Sequence, residues 1–509
     1  MKKTILSLLL FGTSALLHSQ SINWGKTYGG SQNESHAFIQ PTSDGGYIMS
    51  SDSNSNDGDV SGHHGNGDFW IIKIDAQGNL QWQKSYGGSQ IESARSIQPT
   101  TDGGYIVVGL TLSNDGDVSN NHGDEDGWII KIDAQGNLQW QKTYGGSLAD
   151  RFHTIQATAG GYIVAGYSSS NDGDVVSLNH GNGDLWVVKI DLQGSIIWEK
   201  NYGGTGDEWA KSIQPTTSGY VIGGYTNSND GDVTGHHGNG DFWVMHIDSQ
   251  GNLQWQKTYG GSLDELFSTI QKTTDGGYVM TGYTTSNDGD ITNHQGLRDF
   301  WVVKVDNQGN LQWQKTYGGN KDDWPYSVQQ TTDGGYIVAG LSNSNQGDVT
   351  DNLGGYDFWL IKIDVQGNLQ WQKTYGGSNQ EGAEAIQETP DGGYIVIGST
   401  LSSDGDVTNN YGGSDLWVLK LDSAVNNEEL PSIKSLISPN PNNGFFFIQL
   451  PQPPMGPVTF FIYDLTGKIM TQIESASGQN KILVDVKLPS GIYFVEDSQK
   501  QWKSNIIIH

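Results

Sequence analysis

Short apolar runs separated by polar, glycine-rich stretches recur along the first four-fifths of the chain. Residues 86–144 show the pattern once. After Tyr86-Gly87-Gly88, the segment Ser93–Ile97 reads as a strand, here called a. Asp102-Gly103-Gly104 supplies a hairpin turn, because Asp-Gly tolerates the positive φ that such turns need. Tyr105–Gly109 is strand b, apolar almost throughout, as in a sheet covered on both faces. A long polar loop through Ser113-Asn114-Asp115-Gly116-Asp117-Val118 leads to strand c, Trp128–Asp133. A tight turn at Gln135-Gly136-Asn137 precedes strand d, Leu138–Tyr144.

The unit repeats seven times, marked by Tyr28, Tyr86, Tyr144, Tyr202, Tyr259, Tyr317 and Tyr375, with spacings of 57 or 58 residues. Four antiparallel strands at that period predict one blade of a β-propeller. The seventh unit ends at strand c, Asp415–Asp422, with no strand d after it. A spare strand d, Ile22–Tyr28, precedes the first unit. Pairing the two closes the ring and removes an exposed sheet edge. The fold class expected is all-β: a seven-bladed propeller closed by its N-terminal strand, with a smaller β-sandwich after it.

Tryptophan follows the same register. One set opens strand c (Trp70, Trp128, Trp186, Trp243, Trp301, Trp359, Trp417) and another lies in strand d (Trp24, Trp82, Trp140, Trp198, Trp255, Trp313, Trp371). Packing between blades is the expected role, with sugar stacking as the functional alternative. The run Asp133–Trp140 resembles the tryptophan-docking motif of quinoprotein-like propellers, one residue shorter in the turn. That resemblance implies the fold and no quinone cofactor.

Composition narrows the functional classes. The 509 residues include no cysteine, which excludes disulfides, thiolate metal sites and cysteine nucleophiles. The net charge is −29, and residues 21–434 carry −31. Such a surface repels phosphate backbones and anionic lipids, so no nucleic-acid partner is expected. Met1-Lys2-Lys3 followed by the mostly apolar Ile5–Leu17 reads as a signal peptide over 1–20, too short to span a membrane.

Acidic residues recur in register. The loop between strands b and c carries Asp57 and Asp59, Asp115 and Asp117, Asp172 and Asp174, Asp230 and Asp232, Asp288 and Asp290, Asp348 alone, then Asp404 and Asp406. Gln346 replaces the missing first aspartate. Carboxylates beside a glycine can hold Ca²⁺, so these residues are candidate Ca²⁺ ligands. The match to an EF-type loop is partial, with Ser53 and Ser55 at its first and third positions. Turn capping through backbone N–H groups is the alternative. Two further acids recur: Glu34, Glu92, Asp150, Glu208, Glu265, Asp323 and Glu381, six residues after each repeat tyrosine, and Asp68, Asp126, Asp184, Asp241, Asp299, Asp357 and Asp415, two before each strand-c tryptophan. His64, His122, His180 and His237 precede four of the latter, and Gln295, Leu353 and Tyr411 take their place in the other blades. A position that accepts Leu and Tyr is not a metal ligand in every blade.

No nucleophile elbow, His-Glu-x-x-His or phosphate-binding loop is present. Trp209, Trp324 and Arg298 break the repeat, and their convergence with two carboxylates would favour an enzyme.

After a polar linker, 424–434, residues 435–509 change character: alternating strands, no repeat, zero net charge. Three motifs carry a resemblance: Ser438-Pro439-Asn440-Pro441-Asn442-Asn443-Gly444-Phe445, Phe461–Lys468 with Asp464 and Gly467-Lys468, and Leu488–Val495 with Gly491 and Tyr493. The segment resembles the C-terminal sorting domain of type IX secretion substrates, found in Bacteroidetes, and the repeats resemble propellers of secreted proteins from those bacteria. The resemblance implies a small Ig-like sandwich and recognition by the outer-membrane translocon. It further implies Sec export, then type IX secretion, to the outer surface or beyond. The function expected is a non-catalytic binding or adhesion protein for an extracellular glycan or protein; the alternative is a carbohydrate-active enzyme or its glycan-binding accessory subunit.

Overall fold

The computed structural model describes residues 20–423 and, in the tail, 437–438, 443–449, 458–464, 468–477, 479, 481–497 and 503–508. The signal segment before Gln20, the linker, and Pro439, Asn440, Pro441 and Gly467 of the tail motifs lie outside these residues. Two compact units are distinguished, one of them Gln20–Ser423.

That unit consists of seven four-stranded antiparallel sheets. Blade one is Glu34–Pro41 (a), Tyr47–Ser53 (b), Asp68–Ile74 (c) and Leu80–Tyr86 (d). Strand a of every blade packs against strand a of both neighbours, so the seven line a central channel, with strands d outermost. Blade seven takes Ile22–Tyr28 as its strand d, paired antiparallel with Asp415–Leu421. Ser21 and Asn23 both donate to Asp422 at 2.7 Å, standing in for the residue that caps the same turn in other blades, Asn79 in blade one and Ser195 in blade three. Strands run longer than the pattern suggests: strand a of blade two is Glu92–Pro99 and strand c begins at Asp126. The ladder extends because Glu92 and Asp126 both pair with Thr111.

The two tryptophan sets differ. Those of strand c are fully buried, and Trp70 donates Nε1–H to Gln83 at 2.9 Å. Four of them lie against a phenylalanine of the preceding blade: Phe69 with Trp128 at 4.6 Å, Phe242 with Trp301, Phe300 with Trp359 and Phe358 with Trp417. Blade two has Gly127 where blade one has Phe69, and Phe152 fills the space, stacking on Trp186 at 5.1 Å. The strand-d tryptophans are half-buried and lie over the next blade's c–d turn, as Trp24 does over Gly78. Both sets serve packing within and between blades, with each fully buried side chain contributing on the order of 2–3 kcal/mol.

In the tail, Ile437–Ser438, Phe445–Gln449 and Lys481–Asp485 form one sheet. Ile469–Ser475, Val458–Tyr463, Gly491–Asp497 and Lys503–Ile508 form the other. Phe446, Phe460, Ile482 and Ile506 from both sheets share one core, which makes a sandwich. Asp464 Oδ1 accepts from the Lys468 N–H at 3.0 Å, Tyr493 donates to the Pro489 carbonyl at 2.8 Å, and Gly444 holds φ +94°. Among the described residues no helix is long and apolar enough to cross a membrane.

Candidate functional site

The acidic series build the blade junctions. Asp57 Oδ1 accepts from the Ser31 N–H at 2.7 Å, and Asp115, Asp172, Asp230, Asp288 and Asp404 accept the matching N–H in their own blades. Asp59 exchanges two bonds with Gly29: its N–H donates to the glycine carbonyl at 2.8 Å, and its Oδ2 accepts the glycine N–H at 3.4 Å. Asp117, Asp174, Asp232, Asp290, Asp348 and Asp406 repeat this clasp. The sequence motif is thus a turn former that ties the b–c loop to the preceding Tyr-Gly-Gly. Ser53 and Ser55, the other candidate ligand positions, bond Glu34 and the Gln32 N–H. Among the described residues no three His, Asp or Glu side chains are grouped to hold a metal ion.

The other two series converge. Asp415 of blade seven meets Glu34 of blade one beside Gly29, where a Cβ would lie 2.2 Å from Asp415 Oδ1 and 2.4 Å from Glu34 Oε2. Only glycine fits there. The same pairing recurs at Gly87, Gly145, Gly203, Gly260, Gly318 and Gly376. One oxygen of each pair's aspartate has no protein donor. Burial, then the nearby Glu34, pushes Asp415 up to about 7. Asp357 and Asp299 also rise to about 7 through burial and their partner acids. These are the blades that lack histidine. In the other four, His64, His122, His180 and His237 bond the aspartate through Nδ1 at 2.6–2.9 Å, countering the upward push of burial. The histidines therefore serve the junction.

The blades differ from one another elsewhere. Each strand a carries a β-bulge, and the extra residue is Arg95, His153, Lys211, Ser268, Tyr326 or Glu384 in blades two to seven. In blade one the irregularity leaves His36 and Ala37 unpaired, with His36 at φ +57°. Bulges re-aim side chains, and here they occupy the strands that line the channel. The groups feel one another across the ring: Arg95 interacts with Asp52 and Glu384, and Lys211 with Arg95 and Arg151. Sequence reasoning passed over this column. Its signal is visible: between Glu92 or its equivalents and a recurrent Ile-Gln, the bulge position is the one that differs in every blade.

The ring is polarised. On one side Asp52 is fully engaged by the Ala94 N–H (2.6 Å), Ser93 Oγ (2.5 Å) and His36 Nδ1 (2.7 Å). Glu384 accepts from the Ala37 N–H, and burial raises its carboxyl above the usual range. On the other side, Arg95, Arg151 and Lys211 face a common space. Arg95 Nε has no acceptor. Arg151 is held by Glu125 at 2.8 Å. Lys211 makes no ion pair among the described residues, and burial together with Arg95 and Arg151 lowers it to about 8. His153 donates Nδ1–H to the Ala210 carbonyl at 2.8 Å, and burial holds the ring well below its usual range, hence neutral.

Arg151, His153 and Lys211 border a cavity of about 450 Å³ between blades three and four, with Tyr167, Asp207 and Trp209 in its wall. It opens where strands a begin, on the side of the b–c and d–a connections. Trp209 stacks on Tyr225 with ring centres 4.2 Å apart. Trp324 packs on Tyr283, with the Arg298 guanidinium 4.9 Å from its ring and paired to Asp322 at 2.8 Å. The three repeat-breaking residues thus form two separate stacks rather than one pocket.

A seven-bladed propeller followed by a β-sandwich is therefore the class of protein. Residues 436–509 match the family model described as a secretion system C-terminal sorting domain. This chain accordingly carries a type IX sorting domain, which implies export to the cell surface or outside. No curated protein matches the sequence. Among solved structures, the Pan2 WD40 domain of Neurospora crassa is similar with TM-score 0.42 and 9% identity, over 76% of this chain and 89% of that one. Drosophila Semaphorin 2a gives 0.42 and 8%, over 96% and 99%. A protein of unknown function from Dyadobacter fermentans gives 0.39 and 10%, over 79% and 99%.

Proposed function

We propose that this chain is a non-catalytic binding protein, exported through Sec and then type IX secretion, that recognises an extracellular glycan or protein at its channel mouth. The observation that carries this reading is the bulge column. Six near-copies of one blade present six different residues at the bulge of the channel-lining strand, and the first blade departs there as well, while the recurrent side chains are committed to packing or junctions. Variation concentrated on the strands that line the channel, in an otherwise repeated scaffold, is what recognition at the channel would require. The turn-forming aspartates bear on stability rather than recognition. The translocon reads residues 436–509 and releases the propeller or leaves it on the surface.

Two measurements test the reading. Deleting 436–509 should leave the chain in the periplasm of a type IX-competent host. Binding of the exported chain to glycan and surface-protein arrays should depend on Trp209 and Lys211; array binding indifferent to both would place recognition elsewhere.

A further inference from the structure

We propose that the cavity at Arg151, His153, Trp209 and Lys211 binds the carboxylate of an acidic saccharide. This rests on the channel-mouth reading above and names its ligand.

Charge comes first. The propeller segment is strongly acidic, yet this cavity collects Arg151 and Lys211, with Arg95 behind them. Glu125 matches Arg151 and Asp207 stands in the wall, but Lys211 has no ion-pair partner among the described residues, and crowding it against Arg95 and Arg151 is relieved when an anion joins them. Glu125 engages Nε and Nη2 of Arg151, so Nη1 is left for a ligand. Lys211 makes no ion pair among the described residues, so its ammonium is wholly available.

Hydroxyl recognition comes next. Because His153 spends Nδ1–H on the Ala210 carbonyl, its Nε2 carries a lone pair and accepts a hydrogen bond. A ligand that offers a hydroxyl donor beside an anionic oxygen matches this pair of demands. A phosphomonoester dianion or an ionised Asp or Glu side chain brings the charge without the hydroxyl. Trp209, fixed by its stack on Tyr225, adds a rigid flat wall of the kind that packs against a sugar ring. A volume of about 450 Å³ lies within the range of small-ligand sites.

The test is calorimetric titration of the full exported chain with oligogalacturonate, the same oligomer methyl-esterified, a sulfated oligosaccharide and a polyglutamate peptide. Binding of the carboxylate form is expected, weakened at least about tenfold by esterification, by Lys211→Gln and by Arg151→Gln, the scale of a lost charge-assisted contact. Lys211→Arg should retain most of the affinity. Lys200→Gln, on an outer strand where Lys200 bonds Asn252, should bind as the parent does. Thermal melting of each variant confirms folding. Equal binding of the ester and the acid would overturn the charge assignment and leave the channel-mouth reading standing if Trp209→Phe still weakens binding. Preference for the sulfated sugar would replace carboxylate by sulfate, and preference for polyglutamate would overturn the saccharide. No binding to any probe, with array ligands indifferent to these variants, would remove the site altogether.

Discussion

Tyr375 donates its hydroxyl hydrogen bond to the backbone carbonyl of Gln20, 3.0 Å away. In every other blade the repeat tyrosine reaches the glycine carbonyl of the next blade's c–d turn, as Tyr28 does with Gly78 at 2.6 Å. Blade seven has no such turn, because its strand d comes from the N-terminus. The residue just ahead of that strand supplies the acceptor instead. The marker tyrosine is thus a latch between blades, and the seventh latch holds the ring shut.

Tyr144→Phe leaves a buried carbonyl without its donor and should cost about 1–2 kcal/mol in urea unfolding. Tyr375→Phe should cost a similar amount, since the acceptor differs and the chemistry does not. A markedly smaller loss at Tyr375 would show that the closing junction is weaker than the others.

Deleting Ile22–Tyr28 removes a whole strand and the seventh latch. Blade seven would then expose the full edge of Asp415–Leu421. The melting transition should fall sharply and lose cooperativity in calorimetry, whereas an unchanged transition would contradict closure by this strand.

Phe152→Ala should cost about 3–5 kcal/mol, because it empties the space that Gly127 leaves beside the buried Trp186. Filling that space in cis by Gly127→Phe is blocked in the parent, where a Cβ at Gly127 would sit 2.7 Å from Phe152. The double variant should recover part of the loss, and a cycle of the four proteins measures the coupling.

The paired carboxyls make stability pH-dependent, with a definite sign. Asp299, Asp357 and Asp415 reach about 7 in the folded chain, against about 4 for an unfolded aspartate. Between those values the folded chain holds protons that the unfolded chain releases, so stability falls as pH rises across the window. Asp44 is held near 2 by Thr42 and Lys73. Asp102, Asp275 and Asp391 stay at about 2 because hydroxyl and lysine donors outweigh the opposing effect of burial. Their stabilisation is present above about 4 and is lost as pH drops towards 2. Melting temperature should therefore rise from pH 8 to pH 5 and fall again below about pH 4. Asp299→Asn, Asp357→Asn and Asp415→Asn together should flatten the neutral limb. A melting temperature level between pH 5 and 8 in the parent would contradict the raised carboxyls of these junctions.

The repeat, the four strands of each blade, closure by Ile22–Tyr28 and the sorting tail were legible because each rests on one residue type at one position seven times, or on ordered motifs. Strand ends were less legible: Asp126 belongs to strand c only because its side chain is anchored by His122 and its backbone pairs with Thr111. The acids showed as series, but nothing in one dimension pairs Asp415 with Glu34, at opposite ends of the propeller. The candidate site was hidden for the opposite reason. Periodicity draws attention to what recurs, and Arg95, His153, Lys211, Tyr326 and Glu384 matter because they do not. Their meeting depends on a bulge in each inner strand and on a ring that turns those strands towards one channel, where His153 and Lys211 border one cavity.

Blade five already shows what a plain channel position looks like, since its bulge residue is Ser268. The most direct measurement gives the bulges of blades two, three, four, six and seven that residue: Arg95→Ser, His153→Ser, Lys211→Ser, Tyr326→Ser and Glu384→Ser in one chain, compared with the parent by thermal melting and on the same glycan and protein arrays. A folded chain with a near-parental melting transition and no array binding is the predicted result. Array binding that survives with all five side chains removed would contradict the claim that recognition resides in the channel.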